Sequence, residues 1–396
     1  MLEGNGAAAE AMRLARIGVV SAYPITPQSP IAELLSEYTG DGRLDAKYIR
    51  VESEHSAMSV AIGSQLTGVR TGTATSSVGL ALMFEMLGVA AGLRLPIVMP
   101  VVNRALVAPW SLWCDHQDSM AARDIGWTQL YAEDCQDVLD LILIAYKTAE
   151  NAKVLLPAMV CMDGFFLSHM SQAVEVPTQQ QVDAFLPPYK ALNLKLDPAD
   201  PMFVNNLIPP AEFMEMRFQQ YQGFENALPV LKNTMAEFKN SFGRAHHPLE
   251  AYRCDDAEAV LVTIGSMSGT VKEIVDQYRD QGKKVGNLKI VSFRPFPEEE
   301  LVKLMPDKAR IGVFDRSMSF GAPAGPVCME VRSALANHGR LLKVQAFIVG
   351  LGGRDVRPEA VTTAFDLLLA GRCNPKIQWL DTRDDAMEIR QYQEAS

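Results

Sequence analysis

The sequence predicts an α/β protein with two parallel sheets laid down one after the other, and three observations lead there. Short apolar runs alternate with helical periodicity through residues 4–163, the pattern of strands buried on both faces beneath covering helices. The alternation stops over residues 173–250, where seven prolines from Pro177 to Pro210 break regular structure, and it resumes from Ala259 to Val349. At 396 residues and 48% hydrophobic content the chain exceeds one ordinary core. Two domains are therefore expected, 1–250 and a smaller 251–396 that ends in a C-terminal tail.

The elements follow in order from local chemistry. Gly4–Ile17 is alanine-rich and helix-forming, and Val19–Tyr23 is a short apolar strand. Pro30–Tyr38 reads as a helix with proline in its first turn, where the missing N–H costs nothing. Lys47–Val51 is a strand, Ser53–Thr67 a helix of small residues, Thr71–Thr75 a strand, and Leu80–Leu93 a helix rich in Met, Ala and Gly. Pro96–Val102 is a strand, Asp137–Glu150 a helix, and Ala158–Asp163 a strand. Within the irregular stretch Glu212–Phe242 has the pattern of a long amphipathic helix, and the whole segment reads either as a linker or as a wrap over a partner subunit. The last third gives strands at Ala259–Ile264, Leu288–Ser292, Arg310–Phe314 and Lys343–Val349, with helices at Thr270–Gln281, Glu298–Leu304 and Pro326–Ala336.

Composition excludes several classes. A formal charge of −10 argues against a nucleic-acid or anionic-membrane surface. No run approaches the ~18 apolar residues of a membrane span, and the start Met1-Leu2-Glu3-Gly4 lacks the basic and apolar regions of a signal peptide, so a cytoplasmic protein is expected. The six cysteines (114, 135, 161, 254, 328 and 373) show no CxxC spacing and no grouping with histidine at zinc-ligand intervals. Neither a disulfide, a bound metal nor an iron–sulfur cluster is expected on this chain. There is no Ser-His-Asp order and no HExxH, which leaves hydrolase and zinc-enzyme readings without support.

Ligands of parallel sheets gather at the carboxyl ends of strands. The expected strands ending at Tyr23, Val51 and Val102 stop just before Thr26, Glu54 and Arg104. Tyr23-Pro24-Ile25-Thr26-Pro27 places a hydroxyl between two prolines, which reads as a punctuating turn or as a rigid mount for that hydroxyl. Glu54 sits in the first turn of a helix, either as a dipole preference or as a buried acid that bonds a cofactor ring nitrogen; Glu52 competes for that role. Arg104 suits a bidentate hold on a carboxylate, or a salt bridge to an aspartate. Trp110, Trp113, Asp115 and His116 form an aromatic and polar group that reads as a pocket wall or as packed core. Gly4-Asn5-Gly6 and Gly40-Asp41-Gly42 read as turns: the first follows no strand, and the second has no Asn after it before Asn103. Gly350-Leu351-Gly352-Gly353 is a tight loop without a phosphate-binding lysine.

Several ordered motifs resemble the pyruvate:ferredoxin oxidoreductase family, above all the alpha subunit of its multi-subunit members. They are Tyr-Pro-Ile-Thr-Pro at 23–27, Glu-Ser-Glu-His at 52–55, Asn-Arg-Ala-Leu at 103–106 and Asp-His-Gln-Asp at 115–118. Further along come Arg-Asp-Ile-Gly-Trp at 123–127, Phe-Arg-Pro-Phe-Pro at 293–297 and Gly-Leu-Gly-Gly-Arg-Asp at 350–355. The resemblance implies a thiamine-diphosphate pyrimidine-binding-type domain followed by a transketolase C-terminal-like domain. It implies oxidative decarboxylation of a 2-oxo acid with coenzyme A as co-substrate. Glu54 would bond the pyrimidine ring, Arg104 would clamp the substrate carboxylate, and Thr26 with Pro27 would line cofactor and substrate. A beta subunit would hold the magnesium diphosphate. Beta and a ferredoxin-like delta subunit would carry the [4Fe-4S] clusters, beside a gamma subunit and, where NAD is the final acceptor, a flavin subunit. A non-redox thiamine enzyme half or a non-catalytic assembly subunit is the alternative. Pyruvate is the expected substrate, with phenylglyoxylate or a branched acid close behind, because Trp110 departs from the smaller residue expected there and offers a stacking or narrowing surface.

Overall fold

The computed structural model describes residues 1–383; the expected tail lies largely outside these. A two-residue strand, β1 (Leu2–Glu3), leads into α1 (Gly4–Leu14), whose small side chains let all of it but Glu10 and Arg13 be buried. Then come β2 (Val19–Ala22), α2 (Ser29–Gly40), β3 (Lys47–Arg50), α3 (Glu54–Leu66), β4 (Thr71–Gly72), α4 (Ser77–Leu82), α5 (Phe84–Gly92) and β5 (Val98–Asn103). The run ends with α6 (Gln117–Ala121), β6 (Thr128–Tyr131), α7 (Cys135–Ala149) and β7 (Ala158–Asp163), after which β8 (Ser171–Gln172) pairs back on β1.

Strands β6-β7-β5-β4-β2-β3 lie side by side in that order and run parallel. From β2 the chain crosses first to β3 on one side and then to β4 on the other, so the carboxyl ends of β2 and β4 flank a topological switch point, where such sheets bind ligands. The expected Leu80–Leu93 helix is broken at buried Met83 into α4 and α5. Strand β6 escapes an apolar reading because its first residues are Thr128 and Gln129; Gln129 is buried and spends its amide on the Ser119 carbonyl at 2.8 Å.

In the 173–250 stretch, α8 (Gln179–Phe185) opens with a Thr178/Gln181 capping box and α9 (Pro210–Phe242) ends on Gly243 in the left-handed conformation. The second half of α9 buries Leu231, Met235 and Phe238 on its own chain, against α7 and α8. Its first turns bury nothing comparable: Phe213, Met214, Met216 and Phe218 all face outward.

The second alternation contains β9 (Leu249–Tyr252), β10 (Ala259–Ile264), α10 (Met267–Asp280), β11 (Val285–Ile290), β12 (Ser292–Arg294), α11 (Glu298–Leu304) and β13 (Arg310–Asp315). It closes with α12 (Pro326–Asn337), β14 (Val344–Ile348), α13 (Pro358–Leu369) and β15 (Gln378–Trp379). Six strands form a sheet in the order β15-β14-β13-β10-β11-β9, parallel except for β9. Sequence predicts one strand over Leu288–Ser292; instead β11 ends at Ile290 and β12 leaves for the first sheet, where it pairs antiparallel with β6. The two sheets are also joined by charge. Lys289 of β11 is buried among Glu133 at 2.8 Å, Glu250 at 2.7 Å and Asp137 at 3.3 Å, which offsets the cost of burying the ammonium. No helix among the described residues is long and apolar enough to cross a membrane.

Candidate functional site

The loops after β2, β3, β4 and β5 meet at the switch point. Ser53 caps α3, its hydroxyl accepting from the Ser56 amide at 3.2 Å, and this starts the helix at Glu54 with the carboxyl turned inward. Glu54 is 6% exposed, whereas Glu52 stays outside and accepts from the Ser56 hydroxyl. Geometry thus separates two acids that spacing left open.

The turn carrying Thr26 is braced from behind: the Gln28 amide donates to the Ile25 carbonyl at 2.7 Å, and Asn5 donates to the Pro27 carbonyl at 2.9 Å. Pro27 is buried and Thr26 faces outward. Arg104 reaches across from the end of β5 and donates Nη1 to the Thr26 carbonyl at 2.6 Å, while its buried Nε has no partner among the described residues. No aspartate pairs with its guanidinium among the described residues. Burial pushes the Arg104 pKa down, with Asp118 and then Glu54 pulling it back up; the group stays cationic. An arginine held by one carbonyl, with a desolvated N–H left over, is prepared for a planar anion.

Asp118 holds this corner together. Its carboxylate accepts from Asn103 Nδ2 at 2.8 Å, the Arg104 amide at 3.0 Å, the Ser77 amide at 2.9 Å and the Ser119 amide at 2.8 Å. Burial nonetheless raises its pKa to about 6. These bonds keep Ser77 at φ 48°, a left-handed conformation that costs a non-glycine residue about 1–2 kcal/mol.

The 105–116 loop is closed by the second sheet. Ala105 donates to the Trp113 carbonyl, His116 to the Arg316 carbonyl at 2.8 Å, and Gly353 to the Cys114 carbonyl at 2.6 Å. Gly353 leaves no room for a side chain because the Trp113 Cβ lies against it. Asp115 is buried and accepts from the Gln117 amide at 2.9 Å and the Gly352 amide at 3.4 Å; burial raises its pKa. Trp110 and Trp113 are not packed core: they are 75% and 55% exposed. His116 lies wholly inside and bonds Asp163 at 2.6 Å, and Asp163 also takes the Arg316 guanidinium at 2.8 Å. Burial alone would raise the Asp163 pKa; His116 and Arg316 instead hold it well below the usual carboxylate range. Ligand atoms of Cys114, His116 and Asp163 fall within 4.8 Å of one another, but burial pushes the Cys114 thiol well up and Asp163 is already bonded, which describes an ionic core rather than a metal cage.

Gly40-Asp41-Gly42 is a helix-ending turn. Asp41 stays at the surface, bonded to Arg43 at 2.7 Å, far from any role with a diphosphate.

Comparison with known proteins now has a geometry to meet. Residues 10–236 match the family model described as "Pyruvate flavodoxin/ferredoxin oxidoreductase, thiamine diP-bdg", and residues 257–361 match "Pyruvate:ferredoxin oxidoreductase core domain II". The chain belongs to the pyruvate:ferredoxin oxidoreductase family. The pyruvate synthase subunit PorA of Pyrococcus abyssi is 45% identical over 98% of this chain and 99% of its own length. That of Methanocaldococcus jannaschii is 48% identical over 92% and 93%. The ketoisovalerate oxidoreductase subunit VorA of Pyrococcus abyssi is 45% identical over 96% of both. Among solved structures, a 2-oxoglutarate:ferredoxin oxidoreductase from Magnetococcus marinus superposes with TM-score 0.67 at 19% identity; the match covers 92% of this chain and 64% of that longer one, and it supports the fold.

Within this family frame, Thr26, Glu54 and Arg104 form one corner, while Asp115 and His116 stand behind it. Sequence reasoning missed Asp118 as the anchor, together with Asp163 and Arg316; Asp118 was visible only as the last residue of the Asp-His-Gln-Asp motif at 115–118.

Proposed function

We propose that this chain is the alpha subunit of a thiamine-diphosphate-dependent 2-oxoacid oxidoreductase, which converts a 2-oxo acid and coenzyme A to an acyl-CoA, carbon dioxide and two low-potential electrons. One observation carries the reading: a buried acid, Glu54, and a carbonyl-braced arginine with a spare N–H, Arg104, face the same switch point. The residues fit the pyrimidine half of the cofactor, since Glu54 makes no side-chain hydrogen bond among the described residues. They do not offer a diphosphate grip.

When bound, thiamine diphosphate supplies the electron sink for loss of carbon dioxide. Glu54 holds and exchanges a proton at its carboxyl, opposite the pyrimidine ring nitrogen. Arg104 binds the substrate carboxylate through Nε and orients it, and the Thr26 hydroxyl takes a hydrogen bond at the same substrate. Pro27, buried beneath, fixes the cofactor wall. Trp110, Trp113, Asp115 and His116 belong to the substrate side, the first two as an exposed aromatic face and the last two as its support.

The finer parts of the reading follow from what this chain would leave to others. The magnesium diphosphate is held by a beta subunit, and [4Fe-4S] clusters sit on partner subunits, with gamma and ferredoxin-like delta chains completing a cytoplasmic complex. Support comes from six dispersed free thiols and from an open apolar groove of about 710 Å³. That groove runs from Glu85, 3.6 Å from His55, to Phe213 and Met216. Residues 1–250 then form the pyrimidine-facing unit, with 173–250 as its partner-covered flank, and 251–396 forms the second unit. Pyruvate is the first substrate; a branched 2-oxo acid is the second reading, favoured by the 45% identity to a ketoisovalerate oxidoreductase subunit.

The test is the assembled complex, assayed for 2-oxoacid- and coenzyme-A-dependent reduction of ferredoxin. Glu54→Gln is expected to lower turnover at least 100-fold with assembly intact. Wild-type turnover in that variant would reduce the chain to an assembly subunit, and acceptor-independent turnover would make it half of a non-redox enzyme.

A further inference from the structure

Two polar groups at the switch point lack hydrogen-bond partners among the described residues and border one common space. Thr75 lies just past β4, fixed by its amide on the Pro100 carbonyl at 3.2 Å and by its carbonyl accepting from Val102 at 3.0 Å. The residue is wholly buried, and its Oγ1 has no hydrogen-bond partner. Glu54 comes from α3, on the other side of β2, and its carboxyl is likewise without a hydrogen bond among the described residues. Both border the space that a side chain at Gly79 in α4 would fill. A Cβ there would stand 2.5 Å from Thr75 Oγ1, 2.6 Å from Glu54 Oε1 and 2.9 Å from Glu54 Cγ. All three are closer than side-chain atoms tolerate, so the space is kept open only by glycine.

A carboxyl has two oxygens, and in the proposed reaction one faces the pyrimidine ring. Once a partner subunit excludes water, the other oxygen needs a donor, because a buried acceptor left bare forfeits its hydration with nothing in return. The Thr75 hydroxyl carries the same deficit and faces the same space. We infer that Thr75 is a positioning residue for Glu54: its hydroxyl donates to the Glu54 oxygen turned away from the cofactor ring, and Gly79 maintains the gap in which they meet. The bond acts by holding the carboxyl in one rotamer, so that proton exchange at the ring nitrogen does not wait on side-chain reorientation. This inference rests on the proposed role of Glu54.

The experiment uses the assembled complex loaded with thiamine diphosphate, with no 2-oxo acid or electron acceptor present. Two quantities are read: the cofactor dissociation constant by calorimetry, and the rate of exchange of the thiazolium C2 proton with deuterium by quenched-flow NMR. Thr75→Val, which keeps the shape and removes the hydroxyl, is expected to slow exchange roughly tenfold while the dissociation constant moves less than threefold. Thr75→Ser is expected to restore the rate to within twofold of wild type. Gly79→Ala is expected to slow exchange at least as much as Thr75→Val, because the added methyl displaces Glu54. Exchange in Thr75→Val within threefold of wild type at saturating cofactor overturns the inference, as does a Ser variant as slow as the Val variant. If Thr75→Val does not assemble, Thr75→Ala carries the same comparison against Thr75→Ser. Glu54→Gln separates the two levels: if it leaves exchange unchanged the proposed function fails, and if it stops exchange while Thr75→Val does not, only the Thr75 inference falls.

Discussion

Replacing Arg316 by methionine removes the charge that joins the second sheet to Asp163 at the end of β7, while keeping an unbranched side chain of similar reach. The guanidinium donates to Asp163 at 2.8 Å and to the Gly350 carbonyl at 3.1 Å, and it lies 4.4 Å from the Phe166 ring centroid. Its loss strands Asp163, a wholly buried carboxylate, with His116 and Ser266 as remaining partners. Removing one member of a buried pair costs about 3–5 kcal/mol, and the surviving bonds place the expected value near 3. At ~2.1 cal/mol/K of unfolding entropy per residue, a chain of this length loses about 1 °C of Tm per kcal/mol, so calorimetry on the complex at pH 7 should show a fall of roughly 3–5 °C. The pH dependence gives an independent check. The native Asp163 pKa is lowered, so its stabilisation is present above the ordinary carboxylate range and is lost as pH falls through the native value. Without Arg316 that value rises toward the ordinary one, so the acid loss becomes smaller and is complete at higher pH. A Tm within 1 °C of wild type at pH 7, with an unchanged acid limb, would refute the reasoning.

Two other perturbations separate readings of the site. Trp110→Ala assayed on pyruvate and phenylglyoxylate should cost activity on the aromatic acid alone if the indole stacks on substrate; equal effects on both would remove the stacking role. Asp118, raised by burial to about 6, holds its proton in the folded chain where the unfolded chain has released it. Its contribution is therefore full below the ordinary carboxylate value and falls as pH rises through about 6, by up to about 3 kcal/mol. Unfolding curves between about pH 4 and 6 should show this slope, and Asp118→Asn should flatten it; an unchanged slope counts against Asp118 as its source.

The legible parts of the sequence were those where one local rule dominated. Largely apolar runs marked β5, β7 and β10, and the prolines at 24 and 27 marked the corner of Thr26. Elements that rely on distant partners were not legible. Strand β6 carries Gln129 inward because Ser119 satisfies it, and β12 has no meaning until β6 lies beside it. The site divides the same way. Thr26, Glu54 and Arg104 stood at strand ends, whereas Asp118 was only the last residue of the 115–118 motif until four donors from three segments converged on it. Glu54 and Glu52 differ by a single helical cap, a distinction that exists only in three dimensions.

Strand β12 carries a consequence for how this chain tolerates being divided. A nick or gene fission near residue 250 appears harmless in a linear map, yet the upstream fragment would lose the strand that occupies the edge of β6. The bared N–H and C=O groups of Thr128–Tyr131 would then be a template for pairing with another copy, and aggregation would follow rather than two soluble pieces. A cut beyond Arg294 keeps β12 with β6 but parts β10 from β13 instead, so the two sheets are interlocked against division at either place.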